Sequence, residues 1–549
     1  MRRPTYPKKF LAVVLLLVPC SQAVTQEHEH EHGGPEKLGK VHFSTSCKPS
    51  VQGNFDRAVA NLHSFQFSRA IDGFNEALKE DPTCAIAYWG IALSYWGNPF
   101  APGIKDPGLA RAGRESAERG AARVAKTERE RAYIAAVAQL YSALDSMPQP
   151  ARLRAYRDAM GKVAATYPDD GEAQIFYALA LSAAADPADK TYADQLRAGA
   201  ILEKLFEKEP DHPGLAHYIV HAYDVPALAD RALSAARRYA QIAPDAPHAL
   251  HMPSHTFTRL GYWQESIDSN VAAAAAARRQ GQTAEELHAS DYETYAYLQT
   301  GQDAAALRIV SALPEIASRF DPKAALVGAG PPAAGYFALA AIPARYALER
   351  QDWQQAQQLL VRETPFPYAD AMTWFARGIG AARLGHAAEA GEASRALTSL
   401  RQRLAQAGET YWAKQVEIQE LAVAAWSSLA TGSKDQALRQ MRSAAALEDT
   451  TEKSAVSPGP LAPAHELLGE MLLQENQPAE ALQQFETTLQ HEPRRFRALY
   501  GAAHAAQLTG NQPASRRYFA ELLKICAGAD TPGRQELQEA RQTLPQPGS

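Results

Sequence analysis

Helical segments recur along this chain at a period of about 34 residues, and this period constrains the fold more than any other feature of the sequence. From about residue 50 onward, apolar residues follow a helical spacing in stretches of roughly ten to fifteen residues, separated by short breaks. Alanine is abundant and runs of β-branched residues are scarce, so the repeated units are predicted to be helices rather than strands. A chain of 549 residues is too long for one compact core, whereas stacked units bury their apolar faces against their neighbours.

The spacing of small and large residues within these units resembles that of the tetratricopeptide repeat (TPR) family. In that family small side chains let two helices approach closely, large ones fill the space between repeats, and a proline follows the second helix. The resemblance is clearest in three stretches: Ala70, Phe74, Ala77 and Pro82; Tyr88, Ile91, Ala92 and Tyr95; and Leu468, Gly469, Leu472, Ala481, Phe485 and Pro493. It implies an all-α, TPR-like α-solenoid of antiparallel helix pairs, whose concave groove binds a peptide or protein partner.

Composition and period divide the chain into six regions. They are a signal peptide (1–23), a His/Glu-rich disordered segment (24–45), a TPR-like solenoid (46–450) with a histidine cluster at 217–291, a loop (451–463), a C-terminal TPR pair (464–530) and a tail (531–549). The loop 451–463 contains three prolines and is expected to be an ordinary surface loop, with a hinge as the alternative. Residues 328–335 include three glycines and two prolines and are predicted not to be helical.

The N-terminus is typical of a secretory signal. Basic residues precede the apolar run 10–18, and Ser21-Gln22-Ala23 fits a small-x-small cleavage site. The apolar run is too short for a permanent anchor, and no other segment is apolar enough to cross a membrane. Lipidation of Cys20 is the less favoured alternative, because Pro19 fits that signal poorly. The mature protein is therefore expected in the periplasm or outside a bacterial cell.

Three cysteines remain after cleavage, and an oxidising compartment permits a disulfide. Cys47 precedes the first predicted helix pair and Cys84 follows it, so an antiparallel hairpin brings both to the same end. A Cys47–Cys84 disulfide is one interpretation, and two unrelated buried thiols are the other.

Charge and motifs argue against several classes of function. The net charge is −5, and loss of the four basic residues of the signal peptide leaves −9, so no nucleic-acid partner is expected. The sequence has no Gly-rich phosphate loop, no nucleophile elbow and no Cys-x-x-Cys pair, so no nucleotide cofactor is expected.

Seven of the 16 histidines fall between residues 212 and 288. His217 and His221 occupy groove-facing positions of one TPR-like repeat, and His251 and His255 occupy the same positions 34 residues later. In this register eight side chains point into one stretch of the groove: His217, His221, His248, His251, His255, Asp224, His288 and Asp291. His63 also faces the groove, but at a distance from the cluster, and is interpreted as structural.

This cluster predicts a transition-metal site. Residues four apart share a helix face and neighbouring helices lie about 8–10 Å apart, so the imidazoles can converge on one ion or on a close pair. The predicted ligands are His217, His221, His248, His251 and His255. The predicted additional ligands, or groups that orient a ligand histidine, are Asp224, His288 and Asp291. Neutral imidazole suits copper, zinc or iron. The alternative is that these histidines contact a partner peptide or pack among themselves.

Pro253 lies between His251 and His255, and two interpretations of it stay open. Either the proline kinks a continuous helix, or the helix begins late with Pro253 in its first turn. A late start would weaken the pairing of His251 with His255.

Two functions follow from these features. The first is an exported scaffold that binds a peptide or protein, with a metal that shapes the site or is the cargo. The alternative is a metal-dependent enzyme (copper, iron or zinc) with its site in the groove, where paired three-histidine sets would resemble, by analogy, a dinuclear copper arrangement. If protein side chains occupied every coordination position of the ion, a storage or structural role would be favoured. Three protein ligands and a vacant coordination position would favour catalysis.

Overall fold

The structure is a computed structural model that describes Met1 and residues 36–101, 106–123, 125–186 and 189–544. The described residues after Met1 form an all-α, TPR-like solenoid without β-strands. Its helices are α1 (Gln52–His63), α2 (Phe67–Glu80), α3 (Ile86–Trp96), α4 (Pro107–Ala122), α5 (Glu128–Ala138), α6 (Gln149–Thr166), α7 (Gly171–Ala184), α8 (Ala193–Phe206), α9 (Pro213–Ala222), α10 (Leu233–Ile242), α11 (Pro247–His251), α12 (Pro253–Leu260), α13 (Trp263–Arg279), α14 (Thr283–Gln299), α15 (Asp303–Arg319), α16 (Pro332–Glu349), α17 (Trp353–Gln357), α18 (Pro367–Arg383), α19 (Ala387–Gln406), α20 (Thr410–Ala430), α21 (Lys434–Glu448), α22 (Ala464–Gln474), α23 (Pro478–His491), α24 (Phe496–Leu508), α25 (Gln512–Ile525) and α26 (Gln535–Thr543).

Contacts between large and small residues hold the helix pairs together, as the repeat pattern predicts. The ring of Phe485 on α23 packs between α22 and α24, where Gly469 and Gly501 leave room for it. A Cβ atom would lie 2.8 Å from the ring at Gly469 and 2.4 Å from it at Gly501. The same contact joins Gly90 on α3 to Phe74 on α2. Glycine is therefore required at these positions because a neighbouring aromatic ring occupies the space of a side chain.

The C-terminal helices pack back onto the middle of the chain. The indole nitrogen of Trp263 donates to the carbonyl of Arg494 (3.0 Å), and the backbone N–H of Phe496 donates to the Gln299 side chain (2.8 Å). The predicted tail also takes part, since its described residues include α26, and Leu537 within that helix is fully buried. The solenoid therefore curls tightly enough for distant repeats to touch.

Residues 37–45, which the sequence analysis places in a disordered segment, instead lie against the N-terminal core and bury Leu38 and Phe43 in it. Phe43 is fully buried and its ring stacks on Trp89 at 4.9 Å, while its backbone N–H donates to Asp56 (2.9 Å). The segment is polar overall, but the burial of Leu38 and Phe43 stabilises its ordered conformation. The predicted signal peptide, apart from Met1, and residues 24–35 lie outside the described residues.

The predicted Cys47–Cys84 disulfide is present and joins the start and the end of the first helix pair, with the two Cα atoms 4.9 Å apart. Cys526 is a buried free thiol. Within the described ranges, no helix has both the length and the apolar character that crossing a bilayer requires.

Two proline-containing stretches differ in part from expectation. Residues 332–335 are helical, against the prediction, because Pro332 takes the first position of α16, where a missing N–H costs nothing. At Pro253 the chain is helical on both sides: α11 ends at His251 and α12 begins at Pro253, with Met252 still in right-handed helical geometry. The proline therefore interrupts a helix rather than delaying its start.

The glycine contacts lead to a stability prediction. Gly501→Ala should destabilise the protein by about 1–3 kcal/mol, because the new methyl group overlaps the Phe485 ring. Gly53→Ala in α1 is the matched control, since no atom lies within 4 Å of its Cβ position, and it should be neutral or stabilising by about 0.5–1 kcal/mol. Urea unfolding followed by circular dichroism measures both changes, and equal effects of the two substitutions would contradict this account of the packing.

Candidate metal centre

Six histidine side chains form two sets of three inside the solenoid. Set A comprises His217 and His221 from α9 and His248 from α11; set B comprises His251 from α11, His255 from α12 and His288 from α14. Within each set, one ring nitrogen of every histidine lies within 4.8 Å of the others. The helical repeat therefore brings side chains from three successive helix pairs to one place.

The two sets are adjacent and buried. The ring centroids of His248 and His251 are 5.9 Å apart, and those of His221 and His255 are 6.1 Å apart. None of the six side chains is more than 8% exposed. Two ions held by sets A and B would thus lie next to each other and away from bulk water.

In set A one nitrogen of each ring lacks a hydrogen-bond partner. Among the described residues, no partner lies within reach of Nε2 of His217, His221 or His248. The opposite nitrogens of two of these rings are held: Nδ1 of His217 donates to the carbonyl of His63 (2.6 Å), and Nδ1 of His248 lies 2.9 Å from Glu285 Oε1. Because a carbonyl oxygen only accepts, the proton of His217 is on Nδ1 and its Nε2 carries a free lone pair.

In set B two lone pairs face each other directly. Nδ1 of His251 lies 2.7 Å from the side-chain oxygen of Asn270, whose amide nitrogen donates to the carbonyl of Ser266 (2.7 Å) and so fixes the orientation of that amide. Nδ1 of His255 lies 2.9 Å from Asp224 Oδ2. Both Nδ1 atoms therefore carry the proton, and the two Nε2 atoms, 3.0 Å apart, each present a lone pair to the other. That contact is repulsive unless a cation or a proton lies between them.

Burial favours the neutral, metal-binding form of several of these imidazoles. Burial lowers the pKa of His217, His221 and His251 well below its ordinary value, and neighbouring histidines lower it further. Burial also lowers the pKa of His288 to about 3. An uncharged ring with an available lone pair is the state in which histidine acts as a ligand.

The structure gives different environments to the two predicted aspartates. Asp224 lies beside His255 and also accepts from Nε of Arg259 (2.9 Å), so it can orient that histidine. Asp291 pairs instead with Arg345, whose Nε and Nη2 donate to its two oxygens at 2.7 and 3.4 Å. His288, predicted as an additional ligand or an orienting group, is the third member of set B.

Several residues near the histidines were missed or misplaced in the sequence analysis. Glu285 contacts Nδ1 of His248 in set A, and Asn270 contacts Nδ1 of His251 in set B. Both contacts form only because α14, which carries Glu285, and α13, which carries Asn270, pack beside the histidine helices. His63, expected far from the cluster, supplies the carbonyl that holds His217. The period of the repeat predicts none of these three contacts, because each joins different parts of the stack.

A third group lies beside set A and consists of His63, Glu172 and His212, whose potential ligand atoms also lie within 4.8 Å of one another. The Glu172 carboxylate contacts Nε2 of His63 at 3.0 Å and Nε2 of His212 at 3.1 Å. These nitrogens already have a partner, unlike those of set A. The group therefore forms a buried hydrogen-bond network that joins α1, α7 and the start of α9.

Residues 451–463 enter the groove and cover the histidines, so the expectation of an ordinary surface loop is wrong. Val456 and Leu461 are only 4% and 7% exposed. The Tyr292 hydroxyl donates to the carbonyls of Ala455 (3.0 Å) and Ser457 (3.1 Å), and the Arg345 guanidinium donates to Pro460 (3.2 Å). These bonds satisfy the backbone of a segment that has no regular structure of its own.

Two cavities adjoin this loop. A cavity of about 30 Å³ is lined by histidines of both sets, namely His221, His248, His255 and His288, together with Ala455 and Val456. That volume accommodates one or two water-sized molecules. A second cavity of about 310 Å³ is lined by other residues of the same loop. The histidine centre is therefore closed to large molecules but leaves room for a small ligand.

No protein-family model matches the sequence, and no curated protein is similar enough to be matched. Among solved structures, the chain is similar to the human IFIT1 dimer with m7Gppp-AAAA, at a TM-score of 0.35 and 11% identity over 81% of this chain and 90% of that chain. A monomeric IFIT1 mutant with Gppp-AAAA gives a TM-score of 0.35 and 11% identity over 88% of this chain and 98% of that chain. A TM-score this low supports no inference about function.

Proposed function

We propose that this protein binds two transition-metal ions side by side, one at set A (His217, His221, His248) and one at set B (His251, His255, His288). The observation that supports this most strongly is the contact between Nε2 of His251 and Nε2 of His255 at 3.0 Å, with both Nδ1 atoms already engaged. Nitrogen ligands that share one ion at about 2.0–2.1 Å lie roughly 3 Å apart, so a bound cation fits the arrangement.

The groups behind the ligands support the same proposal. Metal-bound histidines usually donate their second N–H to a carboxylate or a carbonyl, which fixes the tautomer and the ring orientation. Four of the six histidines have such a partner. His217 contacts the carbonyl of His63. The rings of His248, His251 and His255 contact the side chains of Glu285, Asn270 and Asp224, in that order. Packing alone does not account for three unpartnered nitrogens in set A and two facing Nε2 atoms in set B.

Copper is the favoured metal, with zinc and iron as the competing ions. The two sets offer six imidazole nitrogens and no carboxylate. Imidazole suits copper and zinc, and copper(II) binds nitrogen ligands most strongly in the series of divalent ions. A pair of metal ions would act as a Lewis acid or would activate water or dioxygen.

The ligand count favours an enzyme over a storage protein. Three histidines per ion leave coordination positions vacant, and the cavity of about 30 Å³ beside both sets could hold a small ligand there. The peptide partner implied by the TPR resemblance fits this region less well, because residues 451–463 fill the groove beside the histidines.

The Cys47–Cys84 disulfide supports export to an oxidising compartment, in agreement with the expected signal peptide. The absence of a nucleic-acid partner stays a prediction.

Metal content gives the first test. The mature protein, purified without an affinity tag and loaded with copper, should contain about two ions per chain by elemental analysis, since it has two three-histidine sets. His251→Ala/His255→Ala should lower this to about one, because only set A stays intact. Circular dichroism confirms that the variant is folded.

Two control variants accompany that measurement. His386→Ala/His504→Ala removes two histidines outside both sets, and His28→Ala/His30→Ala/His32→Ala removes those of the N-terminal His/Glu-rich segment. Both should retain two ions. A wild-type protein without metal, or a His251→Ala/His255→Ala variant with the wild-type content, would contradict the proposal.

Metal removal should also lower stability. An ion that binds only the folded state stabilises it by about 2.7 kcal/mol when its free concentration is 100 times the Kd. Without it, three buried nitrogens of set A lack partners and two lone pairs of set B repel each other. Calorimetric scans of the copper-loaded and the chelator-treated protein should therefore differ in Tm, whereas the two scans of His251→Ala/His255→Ala should differ less. Identical Tm values for the loaded and the stripped wild type would argue against a metal in this site.

Removal of one orienting carboxylate tests the role of the groups behind the ligands. Glu285→Gln should weaken copper binding at set A about 10–100-fold, because the His248 ring loses its charged partner. Glu286→Gln is the matched control: this neighbouring buried carboxylate pairs with Arg319, and its loss should leave the affinity unchanged. Competitive titration against a chromogenic chelator measures both variants, and equal affinities would show that Glu285 does not support the site.

A further inference from the structure

The loop 451–463 forms a wall between the two cavities. Ala455 and Val456 line the small cavity at the histidines, whereas Lys453 and Leu461 line the larger cavity of about 310 Å³. Arg259, which holds Asp224 behind His255, also lines the larger cavity. Arg259 and the loop therefore connect the larger cavity to the surroundings of set B.

Aromatic rings form one side of the larger cavity. Tyr368 and Trp412 stack with their centroids 4.1 Å apart and their planes at 17°, and Phe337 lies 6.1 Å from the Trp412 ring. All three side chains are at least 93% buried. Stacked rings at a cavity wall favour a planar aromatic ligand, since ring contacts add to the free energy gained from apolar burial.

The lysine and arginine side chains of this cavity disfavour a ligand with a negative charge. Its four basic side chains each have a carboxylate partner: Arg259 and Lys453 contact Asp224 at 2.9 and 3.5 Å, Arg345 contacts Asp291 at 2.7 Å, and Lys190 contacts Glu452 at 2.7 Å. A charge that is already paired gains little from a second partner. An anionic molecule would therefore find no unpaired cation here.

Two polar atoms of the cavity residues are still available for hydrogen bonds. Within the described ranges, neither the hydroxyl of Tyr368 nor the side-chain oxygen of Gln419 has a partner, although both atoms are buried. An amide oxygen accepts, and a hydroxyl can donate or accept. A ligand with one hydroxyl or amino group would satisfy them, and the volume is at the lower end of the range for small-molecule sites.

We propose that the larger cavity binds a small aromatic molecule that carries a hydroxyl or amino group and no negative charge, and that a molecule bound there alters the neighbouring metal centre. The second part rests on the proposed function, whereas the binding itself does not. Tyr292 connects the two regions, because its ring lies 4.9 Å from both His251 and His255 and its hydroxyl holds the backbone of the dividing loop. A ligand in the cavity could thus affect the histidines through one layer of protein.

Isothermal titration with a matched pair of probes tests the binding site. The full mature chain should bind 4-methylphenol at least about tenfold more tightly than 4-methylcyclohexanol, which has the same hydroxyl but no aromatic ring. Trp412→Leu should weaken the binding of 4-methylphenol about tenfold, and Tyr368→Phe, which removes only a hydroxyl, about fivefold. Trp374→Leu, a change on the same helix as Tyr368 but outside the cavity lining, should have no effect. Equal affinities for the two probes, or wild-type affinity in both Trp412→Leu and Tyr368→Phe, would overturn the site.

The same titrations separate this proposal from the metal proposal. Binding of 4-methylphenol with these variant effects in a chain that takes up no metal would support the cavity site and refute the metal centre. In the copper-loaded protein, 4-methylphenol should change the visible absorption of the metal, and at a concentration equal to the wild-type Kd the change in Trp412→Leu should be about one fifth of that in the wild type. An unchanged spectrum at saturation would show that a molecule bound in the cavity does not alter this centre.

Discussion

Close packing between successive helix pairs controls the rest of this structure. It depends on small residues that leave room for large ones, as Gly469 and Gly501 do for Phe485. Because the same spacing recurs, side chains one repeat apart lie on adjacent helices and face the same way. His217 and His221 therefore meet His248 from the next repeat, with 5.0 Å between the rings of His217 and His248. The clustering of the histidines is a consequence of this register.

Because these histidines are buried, their arrangement is energetically unfavourable when no ligand is bound. A buried polar atom without a partner costs about 1–3 kcal/mol, and set A has three such nitrogens. The surrounding structure does not relieve the cost by turning the rings, since the His63 carbonyl and the Glu285 carboxylate hold the opposite nitrogens. A fold that fixes unpaired ligand atoms at one point is better explained by a bound cation than by packing alone.

Much of the fold, and the members of both histidine sets, could be predicted from the sequence because they depend on local period. His217, His221, His251 and His255 follow from the 34-residue offset, and His288 follows once an insertion is allowed for. The groups behind them could not be predicted, since Asn270 and Glu285 reach their histidines only through tertiary packing. The position of residues 451–463 could not be predicted either, because a segment without a periodic pattern is placed by its contacts with the residues around it. Phe43 was missed for a similar reason: one apolar side chain fixes a short polar stretch.

Anomalous diffraction at the copper absorption edge, from crystals of the copper-loaded full chain, tests the central claim most directly. The account predicts two peaks within the solenoid, one next to the Nε2 atoms of His217, His221 and His248 and the other between those of His251 and His255, near His288. No peak at either set, or a peak only at the group formed by His63, Glu172 and His212, would contradict it.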